Sequence, residues 1–290
     1  MSPRWSTALA VFALLAGCAS EPTPPARAAG PVSAAADDNL NATLWTQRAV
    51  EHDLIYLQTY RDAQARLLAA LNDPQWDALP RADRRTPVTG LKPAVVLDID
   101  ETVLDNSPYQ ARLVRSGGEF DEAAWAAWCN ERKARALPGA VAFTRFAAQH
   151  GIAVIYLSNR AKDLDQATLA NLRQAGFPVA GPQVFLGLGT AVEGCAQVGT
   201  DKGCRRQWVG RHYRVLMQFG DQLADFVTVP ANTTAGRDQA LAPYLAWIGR
   251  RWFVLPNPTY GAWEPALFDN DWAAPRGERH RRKVEALIYD

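Results

Sequence analysis

The 290-residue sequence has almost no net charge. It sets 31 Lys and Arg against 30 Asp and Glu, a formal charge of +1. Chains that grip nucleic-acid polymers carry a clustered basic excess, so such partners are excluded. Lysine is scarce: Lys92, Lys133, Lys162, Lys202 and Lys283 are the whole set, and arginine supplies the remaining positive charge. A lysine beside other chemistry-bearing residues therefore stands out. Four cysteines are too few to scaffold a chain of this length. The histidines (His52, His150, His212, His280) include no pair at zinc-ligand spacing. There is no internal repeat and no stretch apolar enough for a stable membrane-spanning helix. Core material is plentiful, with 48% hydrophobic residues and ten tryptophans. That suits one large globular domain or two small ones.

The front of the chain reads as an address. Arg4 precedes a short apolar stretch over 8–16, which ends in Leu15-Ala16-Gly17-Cys18. This ending resembles a bacterial lipobox, whose cysteine receives lipid and becomes the mature N-terminus. The expectation is a signal peptide over 1–17, lipidation at Cys18 and a flexible tether over 18–43, rich in Ala, Pro, Ser and Thr. Ala19 is not Asp, and by resemblance that implies an outer-membrane destination in the cell envelope.

Residues 44–290 are the expected domain, and their patterning alternates. Apolar residues recur at helical spacing over 44–71, as one long helix or two broken near Thr59. Short unbroken apolar runs at 94–97, 152–157, 183–186, 215–219 and 252–255 predict buried strands. Helices are expected over 120–136, from Pro138-Gly139 to His150, over 163–175, over 203–213 and over 278–289. Such alternation predicts an α/β fold, a parallel sheet with helices on both faces. Ligands bind beyond the carboxyl ends of such strands.

Four strand or helix ends carry matching chemistry. The first apolar run stops at Asp98-Ile99-Asp100-Glu101-Thr102, and carboxylates just past a buried strand are costly unless used. The second run ends at Ser158-Asn159-Arg160. Asp201-Lys202-Gly203 opens a helix, and a later strand ends at Gly220-Asp221, with Asp225 four residues on. Each motif alone is an ordinary turn or cap. Their order and placement together are not.

These residues resemble the four motifs of haloacid-dehalogenase (HAD) superfamily phosphohydrolases. Residues 98–109, Pro138-Gly139-Ala140, Ser158-Asn159-Arg160, 220–226 and 255–264 resemble more closely the class C bacterial acid phosphatases of the lipoprotein e type, which include surface 5'-nucleotidases. The likeness runs from about Leu44 to the end; Gln222 departs from it, where Asn is expected, and 187–200 match nothing. It implies a HAD-like Rossmannoid sheet plus a small helical subdomain, from about 44–72 and 105–137.

The chemistry then assigns roles. Asp98 is the expected nucleophile, forming an aspartyl phosphate. One divalent ion, Mg2+, is expected between it and the phosphate, held by Asp98, Asp221 and, by resemblance, the Asp100 carbonyl, with Asp225 helping from behind. Asp100 is expected to protonate the leaving group and then deprotonate water. Ser158, Asn159 and Lys202 are expected on the phosphoryl oxygens. A carboxylate nucleophile stays ionised to about pH 4, so the optimum should be acidic. Tyr260, Trp128 and Phe120 are candidates to stack a nucleobase. The expected partner is a phosphate monoester, in particular a nucleoside 5'-monophosphate. A homodimer is compatible with the sequence. Competing expectations are a broad phosphomonoesterase or phosphotransferase and a non-catalytic surface lipoprotein. Cys195 and Cys204 either form a bridge or remain free beside Cys129.

Overall fold

The computed structural model describes residues 38–289. The expected signal peptide, Cys18 and most of the expected tether lie outside the described residues. The described chain forms α1 (Leu40–Arg48), α2 (Val50–Asn72), β1 (Lys92–Leu97), β2 (Leu104–Asp105), α3 (Ser107–Ser116), α4 (Glu122–Glu131), β3 (Arg135–Ala136) and α5 (Ala140–Gln149). It continues with β4 (Ala153–Ala161), α6 (Asp165–Gln174), β5 (Phe185–Leu188), α7 (Gly203–His212), β6 (Tyr213–Gly220), α8 (Thr234–Leu241), β7 (Trp252–Val254) and α9 (Arg276–Glu285).

Five strands make one parallel sheet in the order β5-β4-β1-β6-β7. The central β1 is apolar without interruption over Ala94–Leu97 because both its faces are covered. Pro93 is tolerated in this central strand because pairing with β4 begins only at Ala94. β2 and β3 form a separate antiparallel ribbon, pairing Leu104 with Ala136 and Asp105 with Arg135. The loop after β1 runs into this ribbon, and α3 and α4 rise between its strands. They therefore sit beyond the carboxyl end of the central strand.

Several boundaries depart from expectation. α1 begins at Leu40 and buries Thr43 and Thr46, so the expected tether is shorter than 18–43. The helical stretch breaks at Ala49, not near Thr59. α1 packs on α3, helped by an Asn39–Gln110 hydrogen bond, whereas α2 packs on α5 and the sheet. Ala49 takes an extended conformation to serve both. α2 accordingly belongs to the sheet layer, not to a helical subdomain. Tyr56 and Tyr60 donate hydroxyls to the Glu101 and Thr102 carbonyls, tying α2 to the loop after β1. Arg214 satisfies carbonyls at the other end of α2, at Ala70, Leu71 and Asp73. The run expected as a strand over 183–186 opens as a 3-10 turn at Pro182, and β5 follows. Cys195 and Cys204 are joined as a disulfide, and Cys129 is a buried free thiol. Among the described residues, no helix is long and apolar enough to cross a membrane.

Candidate active site

β1 delivers Asp98 to the rim, where its backbone N–H still donates to Phe219 of β6. β6 delivers Asp221 just beyond Gly220, and the following turn folds Asp225 back. Carboxylate oxygens of Asp98, Asp221 and Asp225 lie within 4.8 Å of one another. Gly220 makes this possible: a Cβ there would stand 2.2 Å from Asp225 Oδ2. Gly220→Ala is expected to displace Asp225, lower thermal stability by about 1–3 kcal/mol and weaken divalent-cation binding. A melting curve and a cation titration check both.

Lys202, 3% exposed at the start of α7, meets the acids. Its Nζ donates to Asp98 Oδ1 (2.5 Å), Asp225 Oδ1 (2.7 Å) and the Leu157 carbonyl (3.0 Å). All three ammonium protons are engaged. A phosphoryl oxygen would therefore feel the charge of Lys202 and gain a hydrogen bond by displacing one of these partners. The Ile99 and Asp100 amides are different: among the described residues neither N–H donates to a protein acceptor. They are donors suited to phosphoryl oxygens.

Asp100 is half-buried. Its Oδ1 accepts from Arg160 Nε (2.9 Å) and Asn106 Nδ2 (2.8 Å), and its Oδ2 accepts from Ser158 Oγ (3.3 Å). Ser158 is fully buried, and its Oγ also accepts the Arg160 amide. Asn159 is exposed and turns its Oδ1 to Arg205 Nη2 (2.6 Å), so its side chain is a brace for α7 rather than a free phosphate donor.

The charge balance fits a hard cation. Burial pushes the Asp98 carboxyl well up, against the pull of Lys202. Burial, then the Asp225 anion, raises Asp221 to about 7. Three acids facing one ammonium leave a demand for positive charge. Asp225 has both oxygens engaged, Oδ1 by Lys202 and Oδ2 by the Gln222 amide. Asp221 Oδ2 takes the Gln222 and Asn257 side-chain amides. Among the described residues, Asp98 Oδ2 and Asp221 Oδ1 accept no hydrogen bond, which leaves each acid a free oxygen. An all-oxygen donor set of this kind suits Mg2+. Gln222, the departure from the expected Asn, braces Asp221 and also accepts from the Ala262 amide.

The expected stacking residues part company. Phe120 is 59% exposed and lies against Tyr109 and Trp125. Tyr260 is half-buried and donates its hydroxyl to Glu101 Oε2, which fixes its ring beside the site. Trp128 is 3% exposed and donates its indole N–H to Asn106 Oδ1 (2.8 Å). It is a strut under the site with no open face, which corrects the expectation. Sequence reasoning gave no role to Arg160, Asn106, Glu101, Arg205 or Asn257. The one available signal was Arg160 lying directly after Ser158-Asn159.

A parallel sheet whose strand ends gather Asp98, Asp100, Ser158, Lys202, Asp221 and Asp225 defines the HAD type of fold and site. A sequence profile for the HAD superfamily, subfamily IIIB (acid phosphatase), matches residues 33–263, and the chain belongs to that family. Its fold is similar to the structure of the class C acid phosphatase from Bacillus anthracis, at 33% identity and a TM-score of 0.76, over 88% of this chain and 99% of that one. The crystal structure of the same protein with tungstate bound gives 34% identity and a TM-score of 0.75, over 88% and 98%. The Stem 31 kDa glycoprotein of Glycine max is 28% identical over 165 residues, 57% of this chain and 58% of its own length. Vegetative storage protein 2 of Arabidopsis thaliana is 28% identical over 166 residues, 57% of this chain and 55% of its own. The chain thus spans less than two thirds of the length of these curated relatives.

Proposed function

We propose that this protein hydrolyses phosphate monoesters through an aspartyl phosphate formed on Asp98. The observation that carries this reading is the meeting of Asp98, Lys202, Asp221 and Asp225 at one sheet rim, with Asp100 and Ser158 alongside. Tungstate on the Bacillus anthracis relative, a phosphate-like oxyanion, supports an oxyanion site in this fold. A bound Mg2+ would screen the nucleophile from the phosphate dianion and stabilise charge in the transition state. Asp98 and Asp221 would hold it, with the Asp100 carbonyl as a further ligand. Asp98 attacks phosphorus in line, and Asp100 supplies the leaving group's proton. Lys202 offsets the charge of Asp98 and Asp225. The free amides of Ile99 and Asp100 bind phosphoryl oxygens.

The substrate we favour is a nucleoside 5'-monophosphate. The exposed ring of Phe120, which reaches the site's Arg160 only through Trp125, and the fixed ring of Tyr260 offer aromatic surface, and base–aromatic stacking contributes about 1–3 kcal/mol per base. The domain works in the cell envelope, held by lipid on Cys18, with its optimum in acid. Phosphatase assays on 5'-AMP and glycerol phosphate, with and without EDTA, test the reading. Activity on both that EDTA abolishes is expected, with at least about tenfold higher efficiency on 5'-AMP. Equal efficiency on the two would leave a broad phosphomonoesterase. A metal-loaded protein inert on every monoester would point instead to a non-catalytic role, like the one named for the storage protein of Arabidopsis thaliana.

A further inference from the structure

The proton-transfer residue Asp100 is held in an unusually one-sided way. Two hydrogen bonds and a further ion-pair contact converge on a single carboxylate oxygen. Arg160 approaches Oδ1 through Nε (2.9 Å) and Nη2 (2.8 Å), and Asn106 Nδ2 adds a third contact at 2.8 Å. The other oxygen, Oδ2, has only the 3.3 Å contact from Ser158 Oγ.

The clamp is itself rigid. Arg160 is 1% exposed, and its guanidinium lies 5.5 Å from the Trp125 ring centroid. Asn106 is fully buried, and its Oδ1 accepts from Trp128 Nε1 (2.8 Å) and Arg160 Nη2 (3.3 Å). Arg160 Nη1 is buried with no hydrogen-bond partner among the described residues. Leaving such a donor unpaired costs about 1–3 kcal/mol. The guanidinium thus keeps two nitrogens on Asp100 at the expense of the third. Two nitrogens of one rigid guanidinium plane hold Oδ1, which the single point charge of a lysine cannot reproduce.

We propose that Arg160 is a positioning residue: with Asn106 it immobilises Asp100 Oδ1, so that Oδ2 alone carries the catalytic proton. The inference rests on the phosphatase reading. In the first half-reaction Asp98 oxygen bonds to phosphorus, the bond from phosphorus to the leaving oxygen breaks, and that oxygen takes the proton from Asp100 Oδ2. In the second, a water oxygen bonds to phosphorus, one water proton passes to Asp100 Oδ2, and the Asp98–phosphorus bond breaks to release phosphate. Both transfers need the same oxygen at the same place, because the leaving oxygen and the attacking water use the same side of the phosphorus.

Leaving-group dependence tests this. An alkoxide cannot depart without a proton, whereas nitrophenolate can. Arg160→Lys is expected to lower kcat/KM, which reports the steps up to leaving-group departure, on glycerol phosphate by about 10–100-fold and on p-nitrophenyl phosphate by less than about 3-fold. In an Asp100→Asn background the same change should cost nothing further, because Arg160 acts through Asp100. Equal losses on both substrates in a variant with wild-type circular dichroism and melting would overturn the proposal. If Arg160→Lys does not fold, Trp128→Phe loosens the Asn106 arm of the clamp by removing the indole N–H while keeping an aromatic ring there. It should show the same leaving-group bias, a few-fold in size, and equal losses there count against the proposal too. Wild-type protein inactive on both substrates would reject the phosphatase reading itself. Active wild type with unbiased variants rejects only the role of Arg160.

Discussion

Asp98→Asn is expected to reduce turnover on any monophosphate by at least about 10⁴-fold while leaving the domain folded. The amide matches the carboxylate in shape but cannot attack phosphorus. The fold tolerates the change because Lys202, which loses one charged partner, keeps Asp225 Oδ1 and the Leu157 carbonyl. Burial already pushes the Asp98 carboxyl up, so neutralising it removes a strained charge rather than a stabilising one. In the presence of EDTA the variant should melt no lower than wild type. Asp100→Asn makes the contrast. It keeps the nucleophile, so p-nitrophenyl phosphate should phosphorylate Asp98. Hydrolysis of that adduct should stall for want of a base, and intact-protein mass spectrometry should detect it. Full activity in Asp98→Asn would refute the nucleophile assignment. An adduct on Asp98→Asn itself would do so equally.

Much of this site was legible in the sequence because its cost is local. Apolar runs such as Ala94–Leu97 must be buried strands, and carboxylates placed directly after one need a use. The strand-end rule then located Asp98, Ser158 and Asp221 together before any fold was known. What stayed illegible is relational. Ala49 breaks the first helix with neither Gly nor Pro, because α1 and α2 answer to different partners. Nothing local marks Arg160 as the partner of Asp100, sixty residues away, or Trp128 as a strut under Asn106. The engagement of all three protons of Lys202 depends on the Leu157 carbonyl, a backbone atom that no side-chain pattern reports. The 195–204 disulfide was undecidable for the same reason, since residue spacing does not set the distance between two cysteines.

The domain freed of divalent cations is expected to lose stability as pH rises, opposite to the usual behaviour of a salt-bridged carboxylate. The sign follows from Asp221. Burial, reinforced by the Asp225 anion, lifts its carboxyl from an ordinary 3.8 to about 7, so the folded chain holds this proton more tightly than the unfolded one. Below about pH 4 both states are protonated and no penalty exists. Between about pH 4 and pH 7 the unfolded chain releases its proton first and gains on the folded one. Above about pH 7 the loss is complete. A shift of this size corresponds to at most about 4 kcal/mol, reduced by water reaching the half-buried Asp221. Asp98 moves in the same direction, also through burial. For a domain of this length each kcal/mol shifts Tm by about 2–4 °C. In EDTA, Tm should therefore fall by up to about 10 °C between pH 5 and pH 8. Mg2+ binds the ionised acids and competes with protons, so its stabilisation should be small at pH 5 and largest at pH 8. Asp221→Asn removes the titrating group and should flatten the EDTA curve while weakening the response to Mg2+. Wild-type melting in EDTA that is equal at pH 5 and pH 8 would show that the three carboxylates do not share an unmet demand for positive charge.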